Sequence, residues 1–316
     1  MTRSRADWHA YAARLTIRDQ AFIDGEFTAS RSGQTLPTID PATGTIIADV
    51  AACSQADVDR AVTAARRSFD DGRWSRSASA ERRRVLLRLA GLIEDHADEF
   101  AVLDSRDTGK PVRDARLADV PAAVGTFAFY AEAVDKIYGE TAPVGPGAHA
   151  VVTRVPLGVI AAITAWNYPL ETASWKLAPA LAAGNSVILK PSERAPLSAL
   201  LLAELAAQAG LPDGVLNVLP GSGDVTGHAL AVHPGVDAIA FTGSTAIGKY
   251  LLECAGRSNM KKVSLECGGK RTVGEHPIRR LPAIRLQQRP VPACLRQLHR
   301  PQDHLDQLRS LITPAP

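Results

Sequence analysis

Between Leu157 and Gly269, short apolar runs alternate with longer segments whose apolar residues recur at helical spacing. The runs LGVIAAIT, NSVILK, GVLNVLP, VDAIAF and KKVSLE begin at Leu157, Asn185, Gly214, Val236 and Lys261. Each reads as a strand covered on both faces, because none shows the strict apolar–polar alternation of a half-exposed strand. Between them, LETASWKLAPALAAG, APLSALLLAELAAQAG, GDVTGHALAVH and STAIGKYLLECAG keep the three-to-four spacing of buried helices, with glycine stops. Strands joined by helix-length crossovers predict an α/β fold, a doubly wound five-stranded parallel sheet.

Upstream the pattern is mostly helical. SQADVDRAVTAARRSF opens on a Ser54-x-x-Asp57 cap and lines up Val58, Ala61, Val62, Ala65 and Phe69 on one face. Further helices are expected over Glu81 to Asp104 and Asp114 to Tyr138. AFIDGEFTAS carries an Asp24-Gly25 hairpin signal. GETAPVGPGAHAVVTR, rich in Gly and Pro before it becomes strand-like, predicts a ribbon that leaves the main body. The expected organisation is a helical part over 1–138, the ribbon over 139–156, the parallel-sheet core over 157–270 and a distinct tail over 271–316.

That tail changes the picture. Its seven prolines exclude a long helix or a central strand, and it holds eight arginines and no lysine against Glu275, Asp303 and Asp306. It therefore carries +5 of a whole-chain charge of +3, which leaves the body at −2. The basic balance comes from the tail alone, so the body gives no reason to expect a nucleic-acid partner. Enrichment in Arg, Pro, Leu and Gln is what a GC-rich gene yields when read out of frame; a disordered basic tail is the other reading. No apolar run has the length of a membrane span, and the first residues lack the apolar core of a signal peptide, so a cytoplasmic protein is expected. Cys53, Cys254, Cys267 and Cys294 have neither metal-site nor disulfide-framework spacing.

A parallel sheet binds ligands beyond the carboxyl ends of its strands. The segments found there are Ala165-Trp166-Asn167-Tyr168-Pro169, then Lys190-Pro191-Ser192-Glu193, then PGSGDVTG with Gly223 and Gly227. Phe241-Thr242-Gly243-Ser244 with Gly248 and finally Glu266 complete them. GSTAIG turns a strand into a helix and directs free N–H groups outward, a natural seat for phosphate, although such glycines also serve simple tight turns. Lys190 and Glu193 suit a ribose edge, or are solvated charges. Asn167 can hold an oxyanion and Glu266 can act as general base, or the two are a turn residue and an exposed strand end.

Taken in this order, WNYP, KPSE, FTGST with Gly248, and LECGGK resemble the aldehyde dehydrogenase superfamily. The resemblance runs from about Phe22 through Lys270 and includes Asp40-Pro41-Ala42-Thr43-Gly44, DTGKP at 107–111 and PALAAGN at 179–185. YAEAVDKIYGE, LPDGVLNV and AIAFTGST look most like the branch of the family that acts on γ-glutamyl-γ-aminobutyraldehyde in putrescine breakdown. The resemblance implies oxidation of a small aldehyde to a carboxylate with NAD, NADP being less favoured because Glu193 would repel a 2′-phosphate. In this chemistry a cysteine thiolate attacks the aldehyde, hydride passes to the nicotinamide, and a glutamate activates the water that hydrolyses the thioester. Glu266 and Asn167 would be catalytic. Ala165, Trp166, Lys190, Ser192, Glu193, Gly223, Gly227, Phe241, Gly243, Ser244 and Gly248 would line the cofactor cleft. Full-length members are homo-oligomers, and no metal or membrane is implied. The family pattern breaks at Arg271. Cys294 falls near the expected distance for the nucleophile, but VPACLRQ lacks the family's Asn and Gly turn, so a missing catalytic domain and missing third ribbon strand are expected.

Overall fold

The computed structural model describes residues 4–268 and the backbone of 299–303. In chain order it contains α1 (Arg5–Ala12), the β1–β2 hairpin (Ala21–Ile23, Glu26–Thr28) and the β3–β4 hairpin (Thr35–Ile39, Ile46–Ala51). Helices α2 (Gln55–Asp70), α3 (Ser79–Asp95), α4 (Ala97–Thr108), α5 (Val112–Asp114) and α6 (Val120–Ala133) follow, with a π-helical stretch over Ala115–Asp119. Next come β5 (Glu140–Ala142), β6 (Ala150–Pro156), β7 (Val159–Ile163), α7 (Pro169–Ala182), β8 (Ser186–Lys190), α8 (Leu197–Gln208) and β9 (Leu216–Val218). The remaining elements are α9 (His228–Val232), β10 (Ala238–Gly243), α10 (Thr245–Arg257), β11 (Lys262–Cys267) and β12 (His299–Asp303).

The main sheet has the order β11-β10-β7-β8-β9-β1-β2. The five expected strands pair in parallel throughout. Two more strands, β1 and β2, extend the sheet antiparallel, with Phe22 opposite Val218. Their hairpin turns at Asp24 and Gly25, both at positive φ (58° and 88°), as an Asn/Asp-Gly turn requires. Helices cover both faces: one core gathers residues of α3, α6, α7 and α8, the other those of α2, α9 and α10. Strands β7 and β8 are buried along their whole length, which is why their sequences are apolar without alternation.

Several expectations need correction. Glu81 to Asp104 is two helices, because His96 leaves the helical region (φ −98°, ψ 20°) and its Nδ1 lies 2.9 Å from the Leu92 carbonyl. Asp114 to Tyr138 is broken by the π-helical stretch and ends at Ala133. GDVTGHALAVH starts with a π-helical turn over Gly223–Gly227 before α9. Strands β5 and β6 form a ribbon apart from the main sheet, and β12, inside the tail, adds a third strand antiparallel to β6. The third strand expected to be missing is thus present, and Pro301 is tolerated because β12 is an edge strand. The rest of the tail, with Cys294, lies outside the described residues.

Candidate cofactor and active site

The five parallel strands end on one side of the sheet, and each end carries a polar or glycine-rich segment. After β7 the chain passes through Ala165 to Trp166, Asn167 and Tyr168, all three exposed, before Pro169 starts α7. The Asn167 amide has no hydrogen-bond partner among the described residues. Pro169 is suited to the first helical turn, where an N–H has no intrahelical acceptor.

At the end of β8 the Lys190 ammonium is buried, and Glu193, three residues on, is exposed. Lys190 Nζ donates to the Pro191 carbonyl at 2.8 Å and lies 3.4 Å from Glu193 Oε2. Burial lowers the Lys190 pKa, and the neighbouring Glu193 carboxylate opposes that shift. Ser192 is half-buried, and its backbone carbonyl accepts from the Ala195 N–H at 3.1 Å, closing the turn of this loop. Gly227 packs close to the Lys190 stem, where an added Cβ would sit 3.8 Å from Cδ, while a Cβ at Gly223 would meet open space. Beneath the loop, the Cys53 thiol is pushed up to about 12 by burial and then by Asp57, with Lys190 pulling the other way. It is an inert, structural thiol.

Strand β10 delivers Phe241, Gly243 and Ser244. Ser244 caps α10, its Oγ accepting from the Ile247 N–H at 3.3 Å, and its carbonyl accepts from Gly248 at 2.9 Å. Gly248 is buried under β11: an added Cβ would lie 2.8 Å from Cys267 Sγ and 3.3 Å from Leu265 Cδ1. Gly243 is covered by the Phe241 ring, which leaves no room for a Cβ there. The helix N-terminus therefore approaches the strand end closely, with its first N–H groups facing out.

Glu266 is the second-last residue of β11 and is exposed. Sequence reasoning missed its neighbour, Lys176. This side chain runs from the second turn of α7 under the strand ends, and its Nζ donates to Thr242 Oγ1 at 2.7 Å. Burial lowers its pKa to about 8, and the Glu266 carboxylate acts in the opposite direction. The signal was available: Lys176 is the one cation in a helix that is apolar over most of its length and buried at most positions. Trp166, Tyr168 and Trp175 remain 50%, 43% and 48% exposed around this end.

The arrangement defines a doubly wound α/β protein with its ligand crevice beyond the carboxyl ends of the strands. Residues 27–274 match the aldehyde dehydrogenase family, and the chain belongs to that family. It is 54% identical over 265 residues to the Escherichia coli NADP/NAD-dependent aldehyde dehydrogenase PuuC, covering 84% of this chain and 54% of that protein. A solved structure of Pseudomonas syringae indole-3-acetaldehyde dehydrogenase in complex with NAD+ and IAA is 51% identical, with a TM-score of 0.84 over 85% of this chain and 54% of that one. The crystal structure of γ-glutamyl-γ-aminobutyraldehyde dehydrogenase from Burkholderia cenocepacia is 49% identical, with a TM-score of 0.82 over 84% of this chain and 53% of that one. The chain spans about half the length of the curated relatives it matches. Among the described residues, no helix is long and apolar enough to cross a membrane.

Proposed function

We propose that this chain is the NAD-binding half of an aldehyde dehydrogenase whose substrate is an aldehyde of the γ-aminobutyraldehyde class, and that in its present form it binds NAD without oxidising aldehydes. The observation that carries the cofactor reading is that Lys190, Glu193, Ser244 and the α10 N-terminus follow the carboxyl ends of β8 and β10, which lie parallel on either side of β7. The residues fit the group: Lys190 donates to a ribose hydroxyl while Glu193 accepts from one, and the α10 N-terminus with Ser244 takes the pyrophosphate. Ala165, Trp166, Ser192, Gly223, Gly227, Phe241, Gly243 and Gly248 shape the cleft around it. A carboxylate at Glu193 favours NAD over NADP.

Bound NAD would supply the hydride acceptor. Asn167, with its unpaired amide at the head of α7, is the oxyanion donor of this reading, and Glu266 is the base that activates water. Lys176, tethered to Thr242 and electrostatically coupled to Glu266, keeps positive charge beside that carboxylate. The substrate class rests on similarity to relatives of that name. The inactivity rests on residues 271–316: Arg271 breaks the family pattern, and Cys294 lacks the turn that presents the family nucleophile. An out-of-frame origin for this segment is tested by translating the DNA around codon 270 in all three frames.

Calorimetry of the purified 316-residue chain with millimolar NAD+ should show binding, and assays with γ-aminobutyraldehyde should yield no NADH. Absence of heat from folded protein would refute the cofactor reading. Turnover that is lost in Cys294→Ala would refute the inactivity.

A further inference from the structure

Helix α4 presents two acids one turn apart to the helices that carry the candidate site. Asp107 is buried, accepts from the Leu197 N–H at 3.0 Å through Oδ2 and from the Thr38 hydroxyl at 3.0 Å through Oδ1. Leu197 is the first residue of α8, whose own N-cap position is Pro196 and makes no side-chain cap. Asp104, 1% exposed, faces the Leu170 N–H and the Ser198 hydroxyl. Neither contact closes to hydrogen-bond geometry, and both Asp104 oxygens and Ser198 Oγ remain unpaired. Leu170 is in the first turn of α7, whose N-cap position, Tyr168, likewise supplies no cap.

Two helices with no local cap thus turn their free N–H groups toward one neighbouring helix. Those two helices follow the loops 164–168 and 191–196, which carry Asn167 and Glu193. We propose that α4 is a shared clamp: Asp107 caps α8, with Asp104 set against the first turn of α7, so that Asp107 and Asp104 are positioning residues that fix the spacing of the two loops across the cofactor cleft. This role rests on the NAD-binding reading above.

The charged groups around the pair are Arg106 on α4, Lys110 in the following loop and Asp119 in the π-helical stretch; the uncharged partners are Thr38 of β3, Leu197 and Ser198 of α8 and Leu170 of α7. Burial pushes Asp107 up to about 8, so at neutral pH the carboxyl is mostly protonated. Asparagine is then a close mimic: its carbonyl accepts from Leu197, and its amide donates to Thr38, whose hydroxyl reverses roles.

The test uses the full chain. Hydrogen exchange of the protein without ligand is read over 189–200 and 165–175, and NAD+ affinity by calorimetry, for wild type, Asp107→Ala, Asp107→Asn and Asp104→Asn. Asp107→Ala should speed exchange at the start of α8 and weaken NAD+ binding about tenfold, the equivalent of one lost cap. Asp107→Asn should restore both to within about threefold of wild type. Asp104→Asn should alter exchange at the start of α7 alone. If Asp107→Ala does not fold, the rescue arm carries the test, since Asp107→Asn with wild-type melting but tenfold weaker NAD+ binding would overturn the proposal. So would faster exchange in Asp107→Ala with unchanged affinity, or unchanged exchange in a folded Asp107→Ala. Wild type that binds no NAD+ would overturn the cofactor reading itself, and the positioning role with it, and that result is separate from any variant.

Discussion

Gly248 sets how closely α10 approaches β11, and its replacement tests whether that approach matters to the candidate phosphate seat. An alanine there gains about 1 kcal/mol of helix propensity. Its methyl would stand 2.8 Å from Cys267 Sγ and 3.3 Å from Leu265 Cδ1. The sulfur is the free end of an exposed side chain and can swing aside, and a few tenths of an ångström relieve Leu265. The two terms should roughly cancel, so Gly248→Ala should melt within about 2 °C of wild type. Gly248→Val adds two more carbons on the same side and loses rotamer freedom in the helix. Overpacking of this kind costs about 1–3 kcal/mol, and the helix can relieve it only by lifting from the strand. Because the α10 N-terminus moves with the helix, NAD+ affinity should fall about tenfold or more in the valine variant. Thermal melting and calorimetry of both variants give the answer. A valine variant with wild-type melting and wild-type NAD+ affinity would refute both the packing argument and the role of the α10 N-terminus.

Two further predictions concern charge. Lys190→Met keeps the apolar stem and removes a buried ammonium, so melting should hold or rise while NAD+ affinity falls about tenfold; unchanged affinity would remove Lys190 from the site. Asp107 has its folded pKa raised from 3.8 to about 8, so between those values the folded state binds the extra proton and stability declines as pH rises. Urea unfolding across that range should show wild type losing stability relative to Asp107→Asn as pH rises, by up to about 1.4 kcal/mol per unit, other groups cancelling; a flat difference would show the carboxyl titrating normally.

The parallel core was legible because its signals are local. Burial on both faces leaves apolar runs such as Val159–Ile163 and Ser186–Lys190, and the helices between them carry their own period. The Asp24-Gly25 turn and the Ser54–Asp57 capping box were readable for the same reason, each being a chemistry of a few adjacent residues. Pairing of β1 with β9 was not legible, since a three-residue strand has no period and its partner lies almost two hundred residues away. The break at His96 follows from one side-chain contact with Leu92, which no periodicity records. Of the candidate site, the strand-end residues were found through motif and topology together. Lys176, Asp104 and Asp107 were passed over because charged residues in helices are by default solvent-facing, and only packing shows that these three are buried.

Strand β11 divides the chemistry at its end. Consecutive residues of a strand project to opposite faces. Glu266 looks toward Lys176 of α7, whereas Cys267 Sγ sits against Gly248 and the Ser244 carbonyl of α10. Asn167 lies just before the helix that carries Lys176, so the proposed oxyanion donor and base both neighbour α7, whereas the Cys267 thiol lies against α10. Cys53 and Cys254 belong to the core on the opposite face, under α2 and α10. No rotamer change carries a side chain through the sheet, and a one-residue slip of β11 would break its six-residue parallel register with β10. On the proposed reading, covalent attack on an aldehyde held between Asn167 and Glu266 therefore calls for a thiolate from outside residues 4–268, approaching where α7 begins and β11 ends.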